Sequence, residues 1–295
     1  MESGRSKVSI IIPHYNQKEC LERLLPTIAN QTYDDYEVII IDDCTPDRSV
    51  VGYIKGFIKD YDNMRLVENA QNLLFIKTVN KGIVLANGEY ICLLNADTKV
   101  TSNFVQRNVE IMDADRSVGA LSCIIVDQHG NNWFSGGSFR GGFPVNLKDD
   151  FQGIRTADFA AGTASFYRRE VFERIGLFDE SLGMYHEDVE FGLRIRAQTN
   201  YKACMFSDKL VVHNKAPSIP HTAIYYYGYR NHILILRKYC PRYLPKVLLS
   251  HLRDIADLLA TPISKPRPKS FLFWHGIALS VTRGVLAGLV KRQSK

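Results

Sequence analysis

Asn95-Ala96-Asp97 sets a carboxylate just beyond the apolar run Tyr90 to Leu94. The run has no polar alternation, so it reads as a strand covered on both faces, with Gly88 supplying the turn before it. In open α/β sheets ligands bind beyond the carboxyl ends of parallel strands, which is where Asp97 would project. Metal chemistry on a phosphate is one use for an acid there. The other reading is a loop start, or a cap for the helix suggested by Ser102 to Asp113.

Two further groups carry chemistry. His186-Glu187-Asp188 opens a helical pattern running to about Gln198, in which Val189, Phe191, Leu193 and Ile195 are apolar. Acids suit a helix N-terminus, where unsatisfied N–H groups and the dipole favour negative charge. Consecutive acids point in different directions, so one can cap or pair with a base such as Arg194 while the other faces a cleft. Val211-Val212-His213 reads as a short strand ending in an imidazole, either a hydrogen-bonded structural residue or, with Asp97, a site for Mn²⁺ or Mg²⁺.

The elements that must position these groups alternate. Strand candidates at Val8 to Pro13, Tyr36 to Ile41, Met64 to Glu68 and Tyr90 to Leu94 are separated by helical stretches at Cys20 to Gln31, Ser49 to Tyr61 and Phe75 to Ala86. This order predicts a mostly parallel α/β sheet with right-handed crossovers and helices on both faces. His14-Tyr15-Asn16, Asp42-Asp43 and Asn95-Ala96-Asp97 each follow a strand, so the three polar clusters should gather along one edge of the sheet. Val118 to Val126 reads as another strand. The Gly-rich stretch His129 to Phe143, with Trp133, reads as a loop or hairpin, a substrate rim or plain surface. Asp158 to Tyr167 is apolar around Gly162, and Arg168 to Ile175 is helical, stopped by Gly176. Beyond Pro220 come long helical stretches, Ala223 to Tyr239, Leu244 to Leu259 and roughly Ser270 to Val290, with Pro262, Pro266 and Pro268 before the last. The expected division is a catalytic domain over 1–220 and a basic, amphipathic helical region over 221–295.

With 295 residues and 45% hydrophobic content the chain can bury a large core. Its six cysteines show no C-x-x-C spacing and several sit in apolar segments, which points to a reducing compartment. The run Val8 to Pro13 is too short for a signal-peptide core or a membrane span. From Arg230 to Lys295, 13 Lys or Arg stand against only Asp254 and Asp257, a balance of +11, which leaves −5 for the first 229 residues. Such a tail suits anionic lipid headgroups or nucleic acid. Tyr225-Tyr226-Tyr227 and Tyr229 could stack on bases, yet aromatics at helical spacing read more readily as core. Another nucleotide enzyme on a similar sheet, such as a sugar-phosphate nucleotidylyltransferase or a dehydrogenase, is the alternative; no G-x-G-x-x-G or G-x-x-x-x-G-K-[ST] motif follows a strand, which argues against dinucleotide binding and P-loop hydrolysis.

In order and spacing the motifs resemble the family 2 inverting glycosyltransferases, of GT-A fold. The resemblance runs through Val8 to Asn16, Ile41-Asp42-Asp43-Cys44-Thr45, Gly88 to Ile91 leading into Asn95-Ala96-Asp97, Gly176-Leu177-Phe178-Asp179-Glu180, and Glu187-Asp188 with Arg194. It covers about residues 7–215, and its nearest subset looks like rhamnosyltransferase-type enzymes. Tyr226-Tyr227-Gly228-Tyr229-Arg230-Asn231 is similar to some members. The resemblance implies that Pro13, Tyr15, Asp43 and, more weakly, Asp42 line a nucleotide pocket. It implies that Asp97 holds a divalent cation, Mn²⁺ or Mg²⁺, that His213 is a second ligand and that Asp188 is the general base. Asn95 stands where the usual signature has Asp, so it is a polar partner of the sugar nucleotide rather than a metal ligand. Leu74 stands where many members have Gly. The partners implied are a nucleotide-sugar donor and a glycan or polyprenyl-linked saccharide acceptor.

Phe271 to Val290 is apolar but interrupted by His275 and Arg283 and followed by Lys291-Arg292. An interfacial helix with basic flanks fits better than a membrane span, and a helix packed on the catalytic domain or a second subunit is the alternative. The resulting expectation is a cytoplasmic enzyme, peripheral on the inner face of the cell membrane, with no nucleic-acid partner and its oligomeric state open.

Overall fold

The computed structural model describes residues 6–214, 220–260 and 271–290. Pro262, Pro266 and Pro268, expected in a linker, and Lys291-Arg292 lie outside the described residues. The chain divides into two compact units, one of Met1–Ser138, Val145–Gly183 and Glu187–Ser218, the other of Phe139–Pro144, Met184–His186 and Ile219–Lys295. The C-terminal helices thus share a unit with two short pieces from the first 220 residues.

In chain order the elements begin β1 (Val8–His14), α1 (Lys18–Ala29), β2 (Tyr36–Asp42), α2 (Arg48–Ile58), β3 (Met64–Glu68), α3 (Leu74–Leu85), β4 (Tyr90–Leu94), β5 (Thr98–Val100) and α4 (Phe104–Ala114). They continue with β6 (Val118–Val126), β7 (Asn132–Phe134), β8 (Gly136–Arg140), β9 (Phe143–Leu147), β10 (Ile154–Ala157), β11 (Ala164–Arg168), α5 (Arg169–Ile175), α6 (Glu187–Gln198) and β12 (Lys202–His213). The main sheet has the order β10-β12-β6-β11-β4-β1-β2-β3, with β5 beside β12 and β7 beside β6. β3, β2, β1 and β4 are mutually parallel. β11 runs against both β4 and β6, which returns β6 and its parallel neighbour β12 to the direction of β1.

Every residue of β1, β2, β4 and β6 is buried, so both faces of the sheet are covered. Gly82 of α3 lies so close to the sheet that a β-carbon there would sit 2.5 Å from Ile11 Cγ2. Gly88 does more than turn the chain: its N–H donates to Ser9 Oγ at 2.7 Å, and a β-carbon would meet Ser9 N at 2.4 Å. Leu74, at φ 67°, occupies the left-handed region that favours glycine. Tyr167, Phe172, Phe178 and Phe191 form an aromatic cluster with ring centroids 4.6 to 5.8 Å apart, and it packs β11, α5 and α6 together.

The second unit contains α7 (His221–Tyr239), α8 (Leu244–Ala260) and α9 (Phe271–Val290). Ile233, Val281 and Val285 form its small core, against which Tyr225, Tyr229, Leu244, Leu248 and Ile255 pack. Tyr225 and Tyr229 therefore pack against this core, as their helical spacing implied. Gly284 and Gly288 let α9 approach the α7 backbone: β-carbons there would lie 2.5 Å from Tyr226 O and 2.8 Å from Arg230 O. α9 is thus packed along one face, while Leu279, Leu286, Leu289 and Val290 remain exposed.

Candidate active site

The parallel register sets His14 beside Asp42 and brings the ends of β1, β2 and β4 to the same edge. The first two ends are stitched together. Asp43 N donates to His14 O at 3.0 Å, Asn16 N to Thr45 Oγ1 at 2.9 Å, and Thr45 N to Asp42 Oδ1 at 3.0 Å. Asp42 is fully buried, so this turn is what its carboxylate holds, and burial depresses the pKa of neighbouring His14. Asp43 Oδ1 accepts from Asn69 Nδ2 at 2.9 Å and from Leu73 N at 2.8 Å, which fixes its carboxylate plane. Pro13 is buried beneath this edge, and Tyr15 is exposed on it.

Asp97 and His213 meet. β5 starts one residue after Asp97, β12 ends at His213, and the two strands pair antiparallel with Thr98 opposite His213. Asn214 N closes the pairing onto Asp97 O at 2.8 Å. The result is His213 Nε2 at 3.2 Å from Asp97 Oδ2, with the imidazole buried and Trp133 edge-on to it at 4.3 Å between centroids. Trp133 on β7 therefore supports the histidine from within the stretch that reads in sequence as a Gly-rich loop.

Asp188 lies in the first turn of α6. Its Oδ1 accepts from Val189 N at 2.8 Å and its Oδ2 from Gly162 N at 3.0 Å. Glu187 beside it is buried, with Oε2 lacking a hydrogen-bond partner. Burial raises the pKa of both carboxyls, and the neighbouring Asp188 charge raises that of Glu187 further. Arg194, expected as a partner for one of these acids, pairs instead with Glu190 at 2.9 Å, because i,i+4 spacing sets those two on one helix face; it also donates to Ile175 O and Leu177 O.

Gly162 and Thr163 are the residues that sequence reasoning missed. Thr163 O accepts from Asn95 N at 2.9 Å, one residue along from the amide that holds Asp188. The loop before β11 therefore ties Asp188 to the end of β4. An isolated Gly within an apolar run was the available signal, since it marks a close backbone approach.

Among the described residues no group of three or more His, Cys, Asp or Glu could hold a metal on its own. The Asp97–His213 pair nonetheless fits a cation shared with a ligand. Two donors at about 2.1 Å from a metal and at right angles lie about 3.0 Å apart, against the observed 3.2 Å. Hard divalent cations habitually take their remaining positions from phosphate oxygens and water.

Residues 9–176 match the family described as Glycosyl transferase family 2. The chain belongs to that family. Among curated proteins, the family 2 chain is similar to the amylovoran biosynthesis glycosyltransferase AmsB of Erwinia amylovora, 27% identical over 204 residues, covering 68% of this chain and 64% of the relative. It is 28% identical over 225 residues to the uncharacterized glycosyltransferase EpsJ of Bacillus subtilis, covering 72% of this chain and 62% of that one. The chain thus spans somewhat less than two thirds of either relative's length. Among solved structures, S. aureus TarS 1-349 in complex with UDP superposes with TM-score 0.63 at 18% identity, over 87% of this chain and 76% of that one. GalNAc-T7 with UDP, GalNAc and Mn²⁺ gives 0.68 at 17% identity, over 95% and 58%. The mannosyltransferase PcManGT of Pyrobaculum calidifontis with GDP-Man and Mn²⁺ gives 0.62 at 19%, over 99% and 89%. At these identities the likeness establishes the fold, GT-A, as the sequence resemblance implied.

Proposed function

We propose that this chain moves a sugar from a nucleotide-diphosphate donor to a hydroxyl of a glycan or lipid-linked saccharide acceptor, inverting the anomeric carbon. The observation that carries this reading is the Gly162-Thr163 link, by which one dipeptide holds both the Asp188 carboxylate and the strand end bearing Asp97. Asp188 is the general base. The acceptor hydroxyl gives its proton to Asp188 as its oxygen bonds to the anomeric carbon, and the bond to the donor diphosphate breaks with its electron pair leaving on the phosphate oxygen. Proton removal of this kind contributes on the order of 10²–10⁴-fold. Burial suits the role, since a carboxyl kept from water holds a proton more readily, while the amides of Gly162 and Val189 keep its oxygens aimed.

Asp97 and His213 would hold Mn²⁺ or Mg²⁺, which when bound neutralises the charge growing on the departing diphosphate. Pro13, Tyr15 and Asp43 line the nucleotide pocket. Since Asp43 Oδ1 is committed to Asn69 and Leu73, its nucleotide contact falls to Oδ2. Asn95 serves as a polar partner of the donor, and Asp42 acts beneath the pocket by holding its turn. The UDP, UDP-GlcNAc and GDP-Man bound to TarS and PcManGT support a sugar-nucleotide donor, and the Mn²⁺ of GalNAc-T7 and PcManGT supports a metal.

The same reading sets the enzyme on the inner face of the membrane. Among the described residues no helix is long and apolar enough to cross a membrane. The exposed Leu279, Leu286, Leu289 and Val290 beside Arg283 suit an anionic lipid surface. The decisive experiment follows nucleoside diphosphate release from a panel of uridine, guanosine and thymidine diphosphate sugars, with Mn²⁺ or Mg²⁺ and with free and lipid-linked glycan acceptors. Acceptor-dependent release is expected for one donor class, and none across the panel would count against the reading.

A further inference from the structure

Tyr185 and His186, with φ of 65° and 63°, are consecutive non-glycine residues in the left-handed region. They form the last step of chain before Glu187 and Asp188. A β-carbon makes that conformation costly, so such a pair persists only where its surroundings over-determine it. The surroundings lie in the second unit. Asn231 of α7, fully buried, donates through Nδ2 to Met184 O at 2.7 Å and to Tyr185 O at 2.8 Å. Its Oδ1 accepts from Arg230 Nε at 2.9 Å, which fixes the amide with its nitrogen toward the two carbonyls. The next residue, His232, lies with its ring 6.1 Å from that of His186 and bonds Gly142 O at 2.6 Å. One turn of α7 thus grips the Met184–His186 segment from two adjacent positions.

We propose that Asn231 is a positioning residue for the general base: by fixing the Met184–His186 turn it sets, through the chain, the direction in which α6 starts and hence the bearing of Asp188. The proposal rests on the reading of Asp188 as that base. Asn231 touches no reacting atom in this scheme. A displacement of about 1 Å at a reacting group costs on the order of 10²-fold, so a released turn acts on kcat rather than on donor binding.

The test is steady-state kinetics on the full chain carrying Asn231→Ala or Asn231→Asp, beside Asp188→Asn. The aspartate keeps the size of the side chain but has no N–H to offer two carbonyls. In both Asn231 variants kcat per active site should fall about 10- to 100-fold with donor KM within about twofold. The acid limb of the pH–kcat profile should also move toward the ordinary carboxylate range as water reaches a loosened Asp188. A merely structural role would lower the melting temperature and the active fraction while leaving kcat per active site and the acid limb in place, and that result overturns the proposal. If neither variant folds, Tyr185→Gly serves, because glycine takes the positive φ at no steric cost and loosens the same turn. It should melt as the natural chain does but turn over about tenfold more slowly; undiminished kcat overturns the proposal. Full turnover by Asp188→Asn would be a separate failure, of the base assignment itself.

Discussion

Gly162 gives its backbone N–H to Asp188 Oδ2 at 3.0 Å, and a β-carbon on it would lie 3.1 Å from that same oxygen and 2.9 Å from Glu187 Oε1. The two acids occupy the space a side chain would take. The bare backbone lets both carboxylates keep these positions.

Gly162→Ala should therefore displace the carboxylates rather than be absorbed by the loop. We expect kcat to fall on the order of 10²-fold with donor KM little changed, and stability to fall by about 1–3 kcal/mol. Nucleoside diphosphate release and thermal melting measure the two effects, and natural turnover in the variant would remove this amide from the catalytic arrangement.

Asp188 and Asp97 should fail in different ways. Asp188→Asn keeps the size and one of the two backbone amide contacts but loses the base, so kcat should drop on the order of 10²–10⁴-fold while donor affinity holds. Asp97→Ala should weaken donor binding and abolish its dependence on Mn²⁺ or Mg²⁺, seen as loss of the metal-dependent thermal shift. Equal donor binding by Asp97→Ala with and without metal, at natural affinity, would contradict its role.

Burial raises the pKa of both Glu187 and Asp188, and the neighbouring charge raises Glu187 further. A base acts deprotonated, so transfer should climb with pH along an acid limb lying above the carboxylate range of about pH 4. Stability carries the opposite sign. Above about pH 4 the unfolded chain has released protons that the folded chain still holds, so stability falls as pH rises through that window. Glu187→Gln removes one such proton, and its melting temperature should decline less with pH than that of the natural chain.

What the sequence made legible follows from how local each signal is. β4 was readable because five consecutive apolar residues need no partner to be recognised, and the gathering of three polar clusters followed from strand order. The meeting of Asp97 with His213 was not, because it depends on the pairing of β5 with β12 across 116 residues. Only the last three residues of β12 read as a strand, since Ser207-Asp208-Lys209 interrupts its apolar pattern where the register with β6 shifts. The antiparallel β11 between β4 and β6 was likewise hidden, as alternation of strands and helices implies direction only for neighbours in sequence. The positive φ values of Tyr185 and His186 leave no trace in residue type.

The α7–α9 packing is open to a simple perturbation. Gly284→Ala would push a methyl to within 2.5 Å of the Tyr226 carbonyl oxygen, a backbone atom that cannot swing aside. A loss of about 1–3 kcal/mol, read by thermal melting, is expected. Leu286→Glu, on the exposed face, should leave melting unchanged but weaken co-sedimentation with vesicles containing anionic lipid. Undiminished sedimentation by that variant would argue against the α9 face as the membrane contact.

The pairing of β5 with the end of β12 also bears on how the chain matures. An unfinished chain that stops short of His213 has Asp97 but no imidazole to set beside it, so its pocket is incomplete however well the first four parallel strands have formed. Ligands that bind only the finished arrangement stabilise only that state. If Asp97 and His213 hold the cation as proposed, donor and cation would stabilise only molecules in which β5 has found the end of β12, far along the chain.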